Sequence, residues 1–178
     1  MSGWRPGDRR PDRESMLRVD QAGEYGATRI YAGQLAVLRR NCPEAKLIAR
    51  MAAQEERHLK RFNALMADRR VRPTALQPLW NVAGFALGAA TALMSEKAAL
   101  ACTDAVETEI DRHYASQLAA LGNDDPELSA DIAEFQAEEL EHRDTAREAR
   151  AAQAIGYPLL TTAIRAGCRM AIELSKRI

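Results

Sequence analysis

Apolar residues recur at spacings of three and four along almost the whole chain, and nowhere does the strict alternation of a half-buried strand appear, so the pattern predicts an all-helical protein. Turn and linker signals punctuate it at Asn41-Cys42-Pro43, from Arg72-Pro73 to Pro78, at Gly122-Asn123-Asp124-Asp125-Pro126 and at Gly156-Tyr157-Pro158. Between them lie predicted helices over 13–40, 43–68, 79–121, 126–152 and 158–176, with Pro43 and Pro126 placed as first helical residues. Two helical hairpins separated by an extended connection predict a four-helix bundle with a long crossover, plus additional helical material beyond it.

The seam of each bundle helix is its apolar run at alternating spacings of three and four, and the polar residues that break that run are informative. The second helix gives Ile48, Met51, Glu55, His58, Phe62, Leu65, and the fourth gives Leu128, Ile132, Phe135, Glu139, His142, Ala146, Ala149. Each seam is broken by the same Glu-x-x-His pair, and residues three apart are neighbours on a helix face, so a carboxylate and an imidazole can converge on one point. The first helix runs Leu17, Gln21, Glu24, Ala27 or Thr28, Tyr31, Leu35, Leu38; the third runs Leu100, Thr103, Glu107, Ile110, Tyr114, Gln117, Leu121. One glutamate faces inward on each. The intervals repeat, with 31 residues from Glu24 to Glu55 and 32 from Glu107 to Glu139, as in a duplicated hairpin.

Four buried carboxylates without partners are too costly to tolerate. Two divalent cations balance four carboxylates, and two neutral imidazoles complete the set. One Glu from each of two helices plus Glu-x-x-His from each of the other two is the ligand pattern of ferritin-like di-iron or di-manganese carboxylate bundles. The metal ligands expected here are therefore Glu24, Glu55, His58, Glu107, Glu139 and His142. Bridging carboxylates with imidazoles favour iron over zinc and leave manganese open. Glu56, Glu109, Glu138 and Glu141 fall off the seams among Arg57, Lys60, Arg112 and Arg143, which fits a solvated or salt-bridged face. Glu138, four residues before His142, is also a candidate to orient that ligand by a hydrogen bond. His113 and Tyr114, two turns beyond Glu107, are either packed core residues or a proton or electron relay.

Composition narrows the function classes. Lys+Arg and Asp+Glu both total 25 in 178 residues, so no global field favours nucleic acid, and basic surface clusters of the kind a tRNA-modifying enzyme needs are missing. Cys42, Cys102 and Cys168 are odd in number, widely spaced and without C-x-x-C, which argues against a disulfide framework and for reduced core thiols in a cytosolic compartment. Residues 1–12 read as a flexible N-terminal arm and 13–178 as a single di-iron helical-bundle domain. The run LWNVAGFALGAATALM (79–94) is shorter than the ~20 residues a membrane crossing needs. That run and the amphipathic segment carrying Leu160, Ile164, Cys168, Ala171 and Ile172 are suited either to bundle packing or to a membrane surface.

The segments RVDQAGEYGATRIYAGQ, QEERHLKRFNALM, GFALGAATALM, ACTDAVE and EELEHRD resemble the demethoxyubiquinone hydroxylase family of ubiquinone biosynthesis over most of the chain, from Arg18 to Asp144. Position 21 is Gln where many members carry His, outside the ligand set. The resemblance implies a non-haem di-iron monooxygenase that adds a ring hydroxyl from O2 to 2-polyprenyl-3-methyl-6-methoxy-1,4-benzoquinol in the penultimate step. It implies that Glu24 and His58 hold one iron, Glu107 and His142 the other, that Glu55 and Glu139 bridge, and that His113 and Tyr114 form an electron relay, with NADH or the quinol as reductant. It also implies a peripheral membrane protein on the cytoplasmic face of a bacterial inner membrane, or the matrix face in a mitochondrion. A lipid-binding accessory protein and a second copy of the chain are the further partners considered. The competing classes are a ferritin-like ferroxidase or iron-storage protein and a scaffold without turnover.

Overall fold

The structure is a computed structural model that describes residues 11–177; the arm expected over residues 1–12 lies outside them up to residue 10. Six α-helices follow in order: α1 (Arg13–Val37), α2 (Pro43–Arg69), α3 (Gln77–Met94), α4 (Glu96–Leu121), α5 (Pro126–Glu148) and α6 (Tyr157–Ser175), with a 3-10 turn at Ala151–Gln153. Local chemistry sets the boundaries. Asp12 accepts from the Ser15 amide at 3.0 Å, Ser95 from Ala98 at 3.0 Å and Asp125 from Leu128 at 3.1 Å, each satisfying an amide that the first helical turn leaves without a partner. Pro43 and Pro126 take first-turn positions, and Arg70 and Arg150 adopt left-handed backbone where α2 and α5 end.

The expected single helix over 79–121 is instead two. Ser95 has extended backbone (φ −178°, ψ 164°), closes α3 and caps α4 with its hydroxyl. The break lets α3 turn onto α1 while α4 enters the bundle. The expected helix over 126–152 likewise ends at Glu148 and passes into the 3-10 turn.

α1 packs on α2 and α4 on α5, forming the two hairpins of a ferritin-like four-helix bundle; α3 lies against α1 and α6 against α4. Two apolar plugs fill the bundle. One holds Tyr31, Leu38, Ile48, Met51, Leu100 and Ala146. The other holds Leu17, Phe62, Leu65, Tyr114, Leu128 and Phe135. Along every bundle helix the inward glutamates and histidines lie between the residues of these plugs, so the fold seals a polar layer between two dry ones.

The apolar run of α3 divides by size. Gly84, Gly88, Thr91 and Ala92 are buried, whereas Leu79, Val82, Phe85, Leu93 and Met94 are exposed. On α6, Leu159, Met170 and Leu174 are exposed as well. A cavity of about 540 Å³ lies among α1, α3, α4 and α6, with Ile30, Trp80, Ile110, Tyr114, Ile164 and Cys168 in its walls. Among the described residues, no helix is long and apolar enough to cross a membrane.

Candidate metal centre

All six seam residues converge. Glu24, Glu55, His58 and Glu139 each offer one ligand atom within 4.8 Å of the others, and so do Glu55, Glu107, Glu139 and His142; Glu55 and Glu139 belong to both groups. All six are buried. The Nδ1 of His58 lies 3.1 Å from Glu139 Oε1 and 3.4 Å from Glu24 Oε2. The Nδ1 of His142 lies 3.2 Å from Glu55 Oε1 and 3.2 Å from Glu139 Oε2. Both imidazoles thus present the same nitrogen to the centre of the layer.

The donor set fits a divalent pair. Glu55 Oε1, Glu139 Oε1 and His58 Nδ1 are buried in this layer and have no hydrogen-bond partner among the described residues. Orphaned polar atoms of this kind are costly, and a cation held in common would give all three a partner. Oxygen and imidazole donors suit iron or manganese.

Two tyrosines hold the outer glutamates. Tyr31 Oη donates to Glu107 Oε1 at 2.8 Å, and Tyr114 Oη donates to Glu24. Each tyrosine follows a cluster glutamate by seven residues on its own helix yet bonds the glutamate of the opposite one, so α1 and α4 clamp each other reciprocally. Burial first, and then the surrounding carboxylates, push both phenols well above their ordinary range, which keeps them as hydrogen-bond donors. Sequence reading left Tyr31 as packing. The repeated Glu-x6-Tyr spacing was the signal for its role.

His113, the other relay candidate, lies next to Tyr114, with ring centroids 6.1 Å apart. Its Nε2 is 3.1 Å from Asp20 Oδ1, which also accepts from Gln117 Nε2 at 2.8 Å. His113 and Tyr114 both reach the large cavity. Glu138 is half-buried and meets His58 Nε2 at 2.8 Å, so it does not orient His142 as the helical spacing suggested. Gln54, which the seam reading passed over, meets His142 Nε2 at 3.0 Å with its Oε1. Glu109 is buried, unlike the exposed Glu56 and Glu141, because Arg165 and Arg169 of α6 and Arg112 of α4 close over it.

Without metal the layer stores protons. Burial, then the charge of Glu139, holds Glu55 and Glu107 well above the usual carboxylate range. Burial alone would lower His58, but the Glu139 and Glu24 carboxylates beside it outweigh burial and raise it to about 10. Burial alone would likewise raise Glu139, yet His142 and His58 bring it down to about 2. Stability from the raised groups is complete below their unfolded values and is lost as pH rises through their folded ones; the contribution of Glu139 is lost only near its low folded value. The melting temperature of metal-free protein should therefore fall between pH 6.5 and 8.5, on the order of 5 °C, and metal should flatten the slope. Calorimetry of both forms checks this, and equal slopes would contradict the stored-proton picture.

A helical bundle of ferritin-like architecture, with a buried carboxylate and imidazole cluster compatible with a metal site, is the class that fold and layer define. Within it, this chain belongs to the family described as Ubiquinone biosynthesis protein COQ7, whose match spans residues 11–175. It is 55% identical over 175 residues to the 3-demethoxyubiquinol 3-hydroxylase of Rhodospirillum rubrum, covering 97% of this chain and 82% of that protein. It is 54% identical over 168 residues to the mitochondrial NADPH-dependent 3-demethoxyubiquinone 3-hydroxylase of Mus musculus, covering 92% and 77%. With the mitochondrial 5-demethoxyubiquinone hydroxylase of Saccharomyces cerevisiae it shares 42% over 181 residues, covering 93% and 78%.

Proposed function

We infer that this chain is a hydroxylase of ubiquinone biosynthesis that converts the demethoxyubiquinol ring to its hydroxylated product. The observation that carries the reading beyond its relatives' names is a buried six-residue donor layer placed against a large apolar cavity. The cavity wall includes Tyr114, whose hydroxyl donates to Glu24, so a flat ring entering there comes within one side chain of the layer. Iron storage has no use for such a cavity.

Glu24 and His58 would hold one iron, Glu107 and His142 the second, and Glu55 and Glu139 would contact both. Bound iron supplies the activation of O2 that carboxylates and imidazoles cannot provide. The protein's part is positional: Tyr31 and Tyr114 fix the outer carboxylates, and the apolar plugs exclude water from the reacting space. Overall, one oxygen atom of O2 enters the ring C–H bond as hydroxyl and the other leaves as water. Two electrons and two protons come from a nicotinamide or from the quinol itself. His113, held by Asp20 at the cavity edge, is the relay candidate that would carry them inward, with Tyr114 beside it.

The polyprenyl tail sets the location. Exposed Leu79, Val82, Phe85 and Leu93 on α3 and Leu159 and Met170 on α6 flank the cavity helices and suit the apolar depth of a bilayer surface, letting the ring enter while the tail stays in lipid. Anaerobically reduced, iron-loaded protein given the demethoxy quinol in vesicles and then O2 should yield a product one oxygen atom heavier by mass spectrometry, with the added atom from 18O2. Iron-loaded protein that forms no such product refutes the assignment.

A further inference from the structure

The internal repeat is faithful at the ligands and broken immediately beside them. Both helices of each kind carry the same Glu, the same Glu-x-x-His and the same Glu-x6-Tyr, and both histidines turn Nδ1 inward. The residue preceding each inner glutamate reaches across to the opposite helix. Gln54 of α2 takes His142 of α5 at 3.0 Å, and Glu138 of α5 takes His58 of α2 at 2.8 Å. The two also touch, Gln54 Nε2 donating to Glu138 Oε2 at 3.4 Å. One imidazole therefore leans on a carboxylate and the other on an amide. Resting on the metal-centre reading above, we propose that Gln54 and Glu138 are positioning residues that make the two subsites unequal, so that a first metal ion occupies the Glu24/His58 subsite.

When Nδ1 binds a metal, Nε2 carries the hydrogen and donates it outward. A carboxylate acceptor polarises that N–H more strongly than a neutral amide, which makes the ring a better donor to the metal. Glu138 also adds a negative charge beside its subsite. Arg57 pairs with Glu138 and offsets part of that charge, but its side chain is 54% exposed, so solvent screens it more than it screens the inner contact. Phe135, stacked on His58 at 4.1 Å between ring centroids, fixes the plane of the imidazole that Glu138 anchors. Since partners of this kind change metal affinity by roughly 10–100-fold, the preference for the first subsite should be at least about tenfold. The favoured subsite contains Glu24, the carboxylate held by cavity-lining Tyr114. The metal nearest the substrate would then be the one retained.

Two dications in adjacent subsites repel, so stepwise affinities alone would not separate asymmetry from repulsion. The order of filling does. The chain has only three histidines, so protein labelled with 15N-histidine and given one equivalent of 113Cd reports which ring nitrogen is bound, through the metal–nitrogen coupling. Cross-relaxation between its ring protons and Phe135 marks the His58 signal. In the native protein His58 should split first, with His142 at about a tenth of its intensity or less. The double variant Gln54→Glu/Glu138→Gln, which exchanges the two acceptors at nearly constant shape, should reverse the order. Glu138→Gln alone should split both signals equally at one equivalent, an outcome that loss of packing would not produce. Filling of His142 first, equal filling in the native protein, or an order unchanged by the exchange would overturn the inference. Protein that takes up no metal would overturn instead the reading on which it rests.

Discussion

Glu139→Ala is expected to give no hydroxylated product, a fall in turnover of more than about 100-fold, because it removes a proposed ligand where loss of an outer partner alone typically costs 10–100-fold. Glu139 is 1% exposed and belongs to both ligand groups, one oxygen 3.1 Å from His58 Nδ1 and the other 3.2 Å from His142 Nδ1. No neighbour can substitute for it. Glu138 and Glu141 flank it in sequence, but the helix turns Glu141 to solvent, and Glu138 is committed to His58 and Arg57 on the outer side. Glu55 remains as the other shared carboxylate, so the proposed pair of cations would be left with less negative charge in a buried layer. The variant should lose both activity and bound iron while its helical circular dichroism persists. Glu141→Ala, two residues away and exposed, should keep activity within about twofold, as surface substitutions away from a site usually do. Product analysis by mass spectrometry with metal analysis on the same samples decides. Undiminished product from Glu139→Ala would remove the metal-centre assignment.

What made Glu139 legible in sequence is the contrast between a charged residue and the apolar seam it interrupts. Phe135, Glu139, His142 and Ala146 share one helical face, and burial is a property of the face before it is a property of the residue. The same logic reached all six cluster residues. It failed wherever a side chain's direction, rather than its face, carries the role. Glu138, four residues before His142, read as a salt-bridged surface acid with a role beside His142 as the alternative, yet His142 sends Nε2 across to α2, so each outer partner comes from the opposite hairpin. Tyr31 sat on the seam as an apolar body, and only Glu107 on the facing helix gives its hydroxyl a purpose. Glu109 read as a surface acid because its helix offers Arg112 next to it; that α6 returns Arg165 and Arg169 over it is a tertiary fact. Ser95 is equally acceptable as a mid-helix residue or a cap, and the choice is made by α3 having to cross α1.

That crossing supports the second large expectation, that Gly88→Ala destabilises the protein by about 3 kcal/mol or more, a fall of roughly 6–12 °C in melting temperature. Helix propensity predicts the opposite sign, since replacing an interior helical glycine by alanine ordinarily stabilises by about 0.5–1 kcal/mol. Contact geometry overrides it. A Cβ on Gly88 would lie 1.9 Å from the Ile30 carbonyl oxygen and 3.0 Å from the Gln34 nitrogen. One on Gly33 would meet the Phe85 carbonyl oxygen at 2.1 Å and the Ala89 nitrogen at 2.8 Å. The obstacles are backbone on both sides, so no rotamer change relieves them, and α3 can admit a methyl only by moving off α1. Gly26→Ala is the matched control on α1, because its Cβ would meet nothing within 4 Å, and it should leave stability unchanged or raise it. Displacing α3 also disturbs function at a distance. α1 carries Glu24 and Tyr31, while α3 contributes Trp80, Gly84 and Leu87 to the cavity wall, so separation of the two helices opens the substrate side before it reaches the ligands. Gly88→Ala at a temperature where it stays folded should therefore raise KM for the quinol more than it lowers kcat. If Gly88→Ala and Gly26→Ala melt together, within about 1 °C, the backbone contact is not what holds α3 in place.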